Sequence, residues 1–171
     1  LGFTAGIVGT LVVSLYNSYG FVADPVMIWT SGNNVLLGGF LAVLFASMAA
    51  TGFYFERSLP SRLRQIMQST GQAPTDFIAS TGFGPTLVNM ALTGAIGTSY
   101  VLLIGGDLNG PVIGAILTIV GFSAFGKHPR NIVPIMFGVF LVSLAKPWGI
   151  RDPSIVLAAL FGTTLAPIAG R

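Results

Sequence analysis

Apolar residues in this chain fall into long runs separated by short polar stretches, and the length of the runs predicts helices rather than strands. The first run covers residues 2–22 and carries small residues at Gly2, Gly6 and Gly9. Gly2 and Gly6 form a small-xxx-small pair of the kind that lets two helices approach closely. After it, Asp24-Pro25 signals a turn, and Trp29 is placed to anchor a short interfacial piece over 26–31. The second run, 33–55, is the clearest span, and its Phe53-Tyr54-Phe55 end has the character of an interface belt. The third, 77–106, is too long for one straight crossing and is interrupted by Gly82-Phe83-Gly84-Pro85, where two glycines and a proline disfavour regular helix. Beyond that break, Thr86, Asn89 and Thr93 share one helical face and form a polar stripe.

The fourth run opens with Gly105-Gly106-Asp107-Leu108-Asn109-Gly110-Pro111 and continues over 112–125. Pro111 suits a first helical turn, and Asn109 suits the cap before it. A short apolar helix is expected over 132–145, and a last one over 154–169, interrupted by Gly162, Thr163, Thr164 and Pro167. The pattern predicts an all-α, polytopic transmembrane helical bundle with broken or re-entrant helices. Residues 1–171 read as a single transmembrane domain, and the apolar character of both ends suggests a fragment or one repeat of a longer membrane protein.

Charge sharpens this picture. Only 8% of the 171 residues are charged and 53% are hydrophobic, against about 25% charged in a typical soluble domain. No charged residue lies between Asp24 and Glu56, between Asp76 and Asp107, or between Asp107 and Lys127. The first two gaps each exceed the roughly 20 residues that cross a hydrocarbon core of about 30 Å. The most polar stretch, 56–76, holds Arg57, Arg62 and Arg64, with Leu59, Leu63, Ile66 and Met67 at helical spacing. It reads as a short amphipathic helix on the cytoplasmic membrane surface. One crossing then puts Asp107 outside, and the next returns Lys127 and Arg130 to the cytoplasm. Lys146 and Arg151 lie outside if 132–145 crosses and inside if it re-enters, which the positive-inside rule prefers; the sequence allows both. Trp148 beside them reads as an interfacial residue.

The net charge of +3 fits membrane orientation, and the chain has no basic face with interleaved aromatics that would suit nucleic acid. Cysteine is absent, which excludes disulfides and thiolate metal sites. The acids are scattered one per loop, and the single His128 sits between Lys127 and Pro129 in a polar turn, where a surface or interface position is expected. No catalytic residue, metal or cofactor is expected, and an enzyme is not the favoured class.

The helix breaks carry the functional expectation. Irregular backbone survives in a bilayer only where protein buries it or where it lines a wet cavity, and interrupted helices present unpaired N–H groups to a substrate. The candidate pathway residues are Gly84, Pro85, Thr86, Asn89, Thr93, Asn109, Gly110, Thr163 and Thr164. An uncharged polar lining suits a small neutral solute, or a cation held by oxygens. For each residue, the alternative role is hydrogen bonding between helices.

From Asn109-Gly110-Pro111 through Gly126-Lys127-His128-Pro129-Arg130-Asn131 to Pro134, the sequence resembles an uncharacterised bacterial multi-pass membrane family catalogued as domain of unknown function 1576. The resemblance reaches back through Gly82-Phe83-Gly84-Pro85 and forward to Thr163-Thr164-Leu165-Ala166-Pro167, and it is weak over the first third. It transfers no functional residue. The breaks are similar in style to those of urea-transporter-like folds, an analogy of fold alone.

The expected function is a membrane transporter or channel module in a bacterial plasma membrane, passing a small polar solute or ion. Its partners would be the lipid bilayer and the other half of the same protein or a homo-oligomer. The alternative is a non-transporting scaffold that binds a partner subunit or lipid.

Overall fold

A computed structural model describes residues 2–21, 29–56, 59–72, 75–147 and 149–169, and the side chains of all of these but 2–6 and 168–169. Arg57, Trp148, the Asp24-Pro25 turn, most of the interfacial piece over 26–31 and the Gly2–Gly6 face therefore lie outside what is described. Every described element is helical. The order is α1 (Gly2–Ser18), α2 (Asn34–Phe55), α3 (Leu59–Gln68), α4 (Phe77–Thr81), α5 (Phe83–Leu103), α6 (Gly110–Phe122), α7 (Pro129–Ala145) and α8 (Pro153–Gly162). A 3₁₀ turn (Thr163–Leu165) and a last short helix, α9 (Ala166–Ala169), follow. Among the described residues, α2 and α5 are long and apolar enough to cross a membrane.

The expected break at Gly82 separates α4 from α5. Its φ of 96° lies in the region that favours glycine. Asp76 starts α4 by accepting from the Ala79 N–H at 3.0 Å, and the Arg62 guanidinium ends it by donating to the Thr81 carbonyl at 2.9 Å. The expected interruption over Gly162 to Pro167 is milder: the chain tightens into 3₁₀ and resumes as α9, with helical dihedrals at Gly162, Thr163 and Ala166.

Helix α5 is the hub and contacts α2, α3, α4, α6 and α7, while α8 packs on α6 and α7. Where α2 crosses α5, Gly52 and Gly84 allow backbone contact. A Cβ on Gly84 would stand 2.6 Å from Glu56 Cβ and 2.8 Å from the Gly52 carbonyl oxygen. The core joins Leu41 and Phe45 of α2, Val101 of α5, Ile116 and Ile119 of α6, Met136 of α7 and Leu160 of α8. Trp29 packs against this core. The buried Leu59 and Ile66 turn α3 onto the protein, so its apolar face is covered by α5 and α4 rather than left for a membrane surface.

Side chains clamp one end of the bundle and backbone contacts the other. At one end, Asn34 Nδ2 donates to the Gly106 carbonyl at 3.0 Å and its Oδ1 accepts from Leu108 N–H at 2.7 Å. Arg151 Nε donates to the Ile104 carbonyl at 3.2 Å at the same end. At the other end, the Phe77 N–H donates to the Ala124 carbonyl at 3.0 Å, and Gly71 lies against Gly126. Helix α7 is continuous and runs from the His128 end towards the Arg151 end of the bundle. It starts at Pro129 rather than 132, because Pro129 suits a first turn and the Asn131 Oδ1 caps the start by accepting from the His128 N–H at 2.9 Å. Arg151 lies at the Asp107 end, opposite Arg62 and Arg130, so basic residues stand at both ends.

Candidate functional site

The polar groups of the interior meet where α6 ends. At 13 residues, α6 spans only about 20 Å against about 31 Å for α5. It unwinds at Ser123 beside the second and third turns of α5, well short of the α5 N-terminus. A helix C-terminus leaves carbonyls without intrahelical partners, and Asn89 supplies two donors. Its Nδ2 donates at 2.8 Å to the Ser123 carbonyl and at 2.8 Å to the Lys127 carbonyl. Those bonds fix the orientation of the amide, because a carbonyl oxygen only accepts. Among the described residues, the Asn89 Oδ1 is left buried without a partner. One turn further along α5, the Thr93 hydroxyl donates to Ser123 Oγ at 2.8 Å, and the Ser123 hydroxyl donates to the Ile119 carbonyl at 2.8 Å.

Lys127 is 3% exposed. Its Nζ donates to Thr163 Oγ1 at 3.0 Å and lies 5.3 Å from the centroid of the Phe122 ring, a favourable cation–π position. The Thr163 hydroxyl donates in turn to the Leu160 carbonyl at 2.6 Å. Lys127 thus links the end of α6 to the 3₁₀ turn after α8. Two helix C-termini favour a cation there. No carboxylate among the described residues pairs with it. Asp76 caps α4, Asp152 accepts from the Gly149 N–H at the far end, and Glu56 lies 4.0 Å from Arg62.

His128 is also buried, which corrects the expected surface position. Its Nε2 lies 3.1 Å from the Ser69 carbonyl oxygen, so that nitrogen carries the hydrogen. Burial lowers its pKa, the Ser69 bond raises it, and the Arg130 charge lowers it, with a net depression. Asn131 completes the wall by donating from Nδ2 to the Gly126 carbonyl at 2.9 Å.

Of the residues expected along the pathway, Asn89, Thr93 and Thr163 come together here. Thr86 is buried and donates to the Gly82 carbonyl at 2.8 Å, within its own helix start. Gly84 and Pro85 are buried near the α2–α5 crossing, and Thr164 is exposed. Asn109 and Gly110 lie at the opposite end. There Asn109 caps α6 by accepting from the Val112 N–H at 3.1 Å and donates to the Thr30 carbonyl at 3.3 Å, while Gly110 is exposed. Ser123, Lys127, His128 and Asn131 were not foreseen as site residues. Their signal was the shortness of the apolar run before them, which places the turn beside α5 rather than beyond it.

Fold and site define the class: an all-helical protein with two helices of membrane-crossing length and a closed polar junction packed against one of them. Residues 55–171 match the family described as Protein of unknown function (DUF1576), and the chain belongs to that family. The match takes in the whole junction and leaves out α1 and nearly all of α2. A comparison with curated proteins and with solved structures finds no match to the chain.

Proposed function

We propose that the chain is a module of an integral membrane transporter or channel in a bacterial plasma membrane, and that a small polar solute or ion passes at the junction of Asn89, Thr93, Ser123, Lys127 and Thr163. The observation that carries this reading is Lys127, an ionisable side chain buried beside an unwound helix end with a hydroxyl and an aromatic ring for company. Ionisable residues inside membrane bundles are costly, and they mark ion and substrate paths. The bilayer setting is supported by the outward face of α2, where Val35, Leu36, Val43 and Tyr54 are 91%, 75%, 70% and 85% exposed. An apolar face of that extent needs a non-aqueous partner.

The test is solute flux through full-length protein in liposomes. Flux above protein-free vesicles that falls on Lys127→Met and Asn89→Leu supports the reading. Absence of flux from folded protein removes it.

A second reading, a scaffold that receives a partner helix or lipid, is favoured by the groove of about 410 Å³ between α2 and α5. Gly38, Ala42, Ala46, Ala95 and Ser99 line it, and small residues of this kind admit a neighbouring helix. A stable complex with a partner subunit, combined with no flux, would favour this reading.

A further inference from the structure

Hydrogen-bonding capacity left over in the junction narrows the solute class. Asn89 Nδ2 has committed both hydrogens to the Ser123 and Lys127 carbonyls. The Ser123 and Thr163 hydroxyls donate to the Ile119 and Leu160 carbonyls. The Thr93 hydroxyl has Ser123 Oγ and the Met90 carbonyl within reach, at 2.8 and 2.9 Å. Among the described residues, two groups of the junction remain incomplete, and the His128 Nδ1 beside them is also buried without a partner. Lys127 Nζ carries three donors and has one hydrogen-bond partner, Thr163 Oγ1. Asn89 Oδ1 is an acceptor on a residue with 0% exposure and has no partner.

Granted the transport reading above, we infer that the junction selects a small uncharged solute that presents an oxygen acceptor and an N–H or O–H donor on neighbouring atoms, such as a primary amide or a short polyol. The acceptor meets the free hydrogens of Lys127 and the donor meets Asn89 Oδ1. A metal cation or an ammonium ion is disfavoured, because like charges in a water-poor interior repel strongly. A bare anion satisfies Lys127 but leaves Asn89 Oδ1 an orphaned acceptor beside a negative charge. Only a ligand with both functions completes both residues. The 2.8 Å bond from Asn89 to the Lys127 carbonyl holds the two residues side by side.

The experiment uses full-length protein in liposomes, with acetamide and glycerol as neutral probes followed by stopped-flow light scattering. Potassium and chloride fluxes are followed with ion-sensitive dyes on the same vesicles. The expected result is acetamide or glycerol permeability at least about tenfold above protein-free vesicles, with both ions at background. In Lys127→Met, the neutral flux falls to background while the thermal midpoint shows the variant folded. Ion flux without neutral-solute flux overturns the solute class and leaves the transport reading standing. Water permeation alone also overturns the class. If no probe moves through folded wild-type protein, the transport reading falls and the inference falls with it. Unchanged neutral flux in Lys127→Met removes the assignment to this junction.

Discussion

The side-chain amide of Asn89 reaches across 38 positions of sequence to donate to the carbonyl of Lys127, and in the same position donates to the carbonyl of Ser123. One side chain on α5 thus holds the unwound end of α6. Replacing it removes both donors at once and strands two buried carbonyls, each costing about 1 to 3 kcal/mol. Asn89→Leu is therefore expected to destabilise the protein by about 2 to 4 kcal/mol, read by denaturant titration in detergent. Thr86→Val is the control. The Thr86 hydroxyl bonds only the Gly82 carbonyl of its own helix start, and its loss is expected to cost under about 1 kcal/mol. Equal costs for the two variants would show that Asn89 has no special hold on α6.

The close crossing of α2 and α5 gives a second prediction. Gly84→Ala places a methyl group 2.6 Å from Glu56 Cβ and 2.8 Å from the Gly52 carbonyl oxygen, so the helices must separate. The expected cost is about 1 to 3 kcal/mol, the usual range for overpacking. Gly114→Ala on α6 meets nothing within 4 Å and is expected to be neutral or slightly stabilising, since alanine is the better helix former. A thermal-midpoint comparison of the two variants decides it. No difference between them would mean that the crossing is looser than described.

These relationships were unequally legible in the sequence. The break at Gly82-Phe83-Gly84-Pro85 could be read because glycine and proline act on their own backbone, and the structure interrupts the helix there. The stripe of Thr86, Asn89 and Thr93 could be read because helical periodicity is local. Its partners could not. Ser123 and Lys127 come to α5 only through tertiary packing, and a Gly-Lys-His-Pro sequence has the composition of an exposed turn. The length of α6 held the missing information: a helix of about 20 Å beside one of about 31 Å must end beside its neighbour and bring the following turn inside. Asn109 shows the reverse case. Its neighbours identify it as a cap, and it is one, at the end of the bundle opposite Lys127.

His128 provides a pH prediction. Its folded pKa is depressed, chiefly by burial and further by Arg130, against the raising effect of the Ser69 bond. The unfolded chain, at about 6.5, therefore binds the proton more readily than the folded one. Stability is full above that value and declines as pH falls through it towards the folded pKa. The thermal midpoint is expected to drop between pH 7.5 and 5. His128→Gln, which can still donate to the Ser69 carbonyl, is expected to flatten that drop. A wild-type slope retained in His128→Gln would assign the proton uptake to another group.

Lys127 separates a structural role from a functional one. As a lock between the ends of α6 and α8, it would stabilise the fold through Thr163 and the Phe122 ring, and Lys127→Met would lower stability. As a group kept for the solute, it burdens the fold with a buried charge that no carboxylate among the described residues offsets. Replacing such a charge with an apolar side chain of similar size is often neutral or stabilising by about 1 to 4 kcal/mol. The expected outcome is a thermal midpoint in Lys127→Met equal to or above that of wild type, together with loss of flux. A variant that loses stability at neutral pH and keeps flux would make Lys127 a strut, and the junction would lose its place on the path.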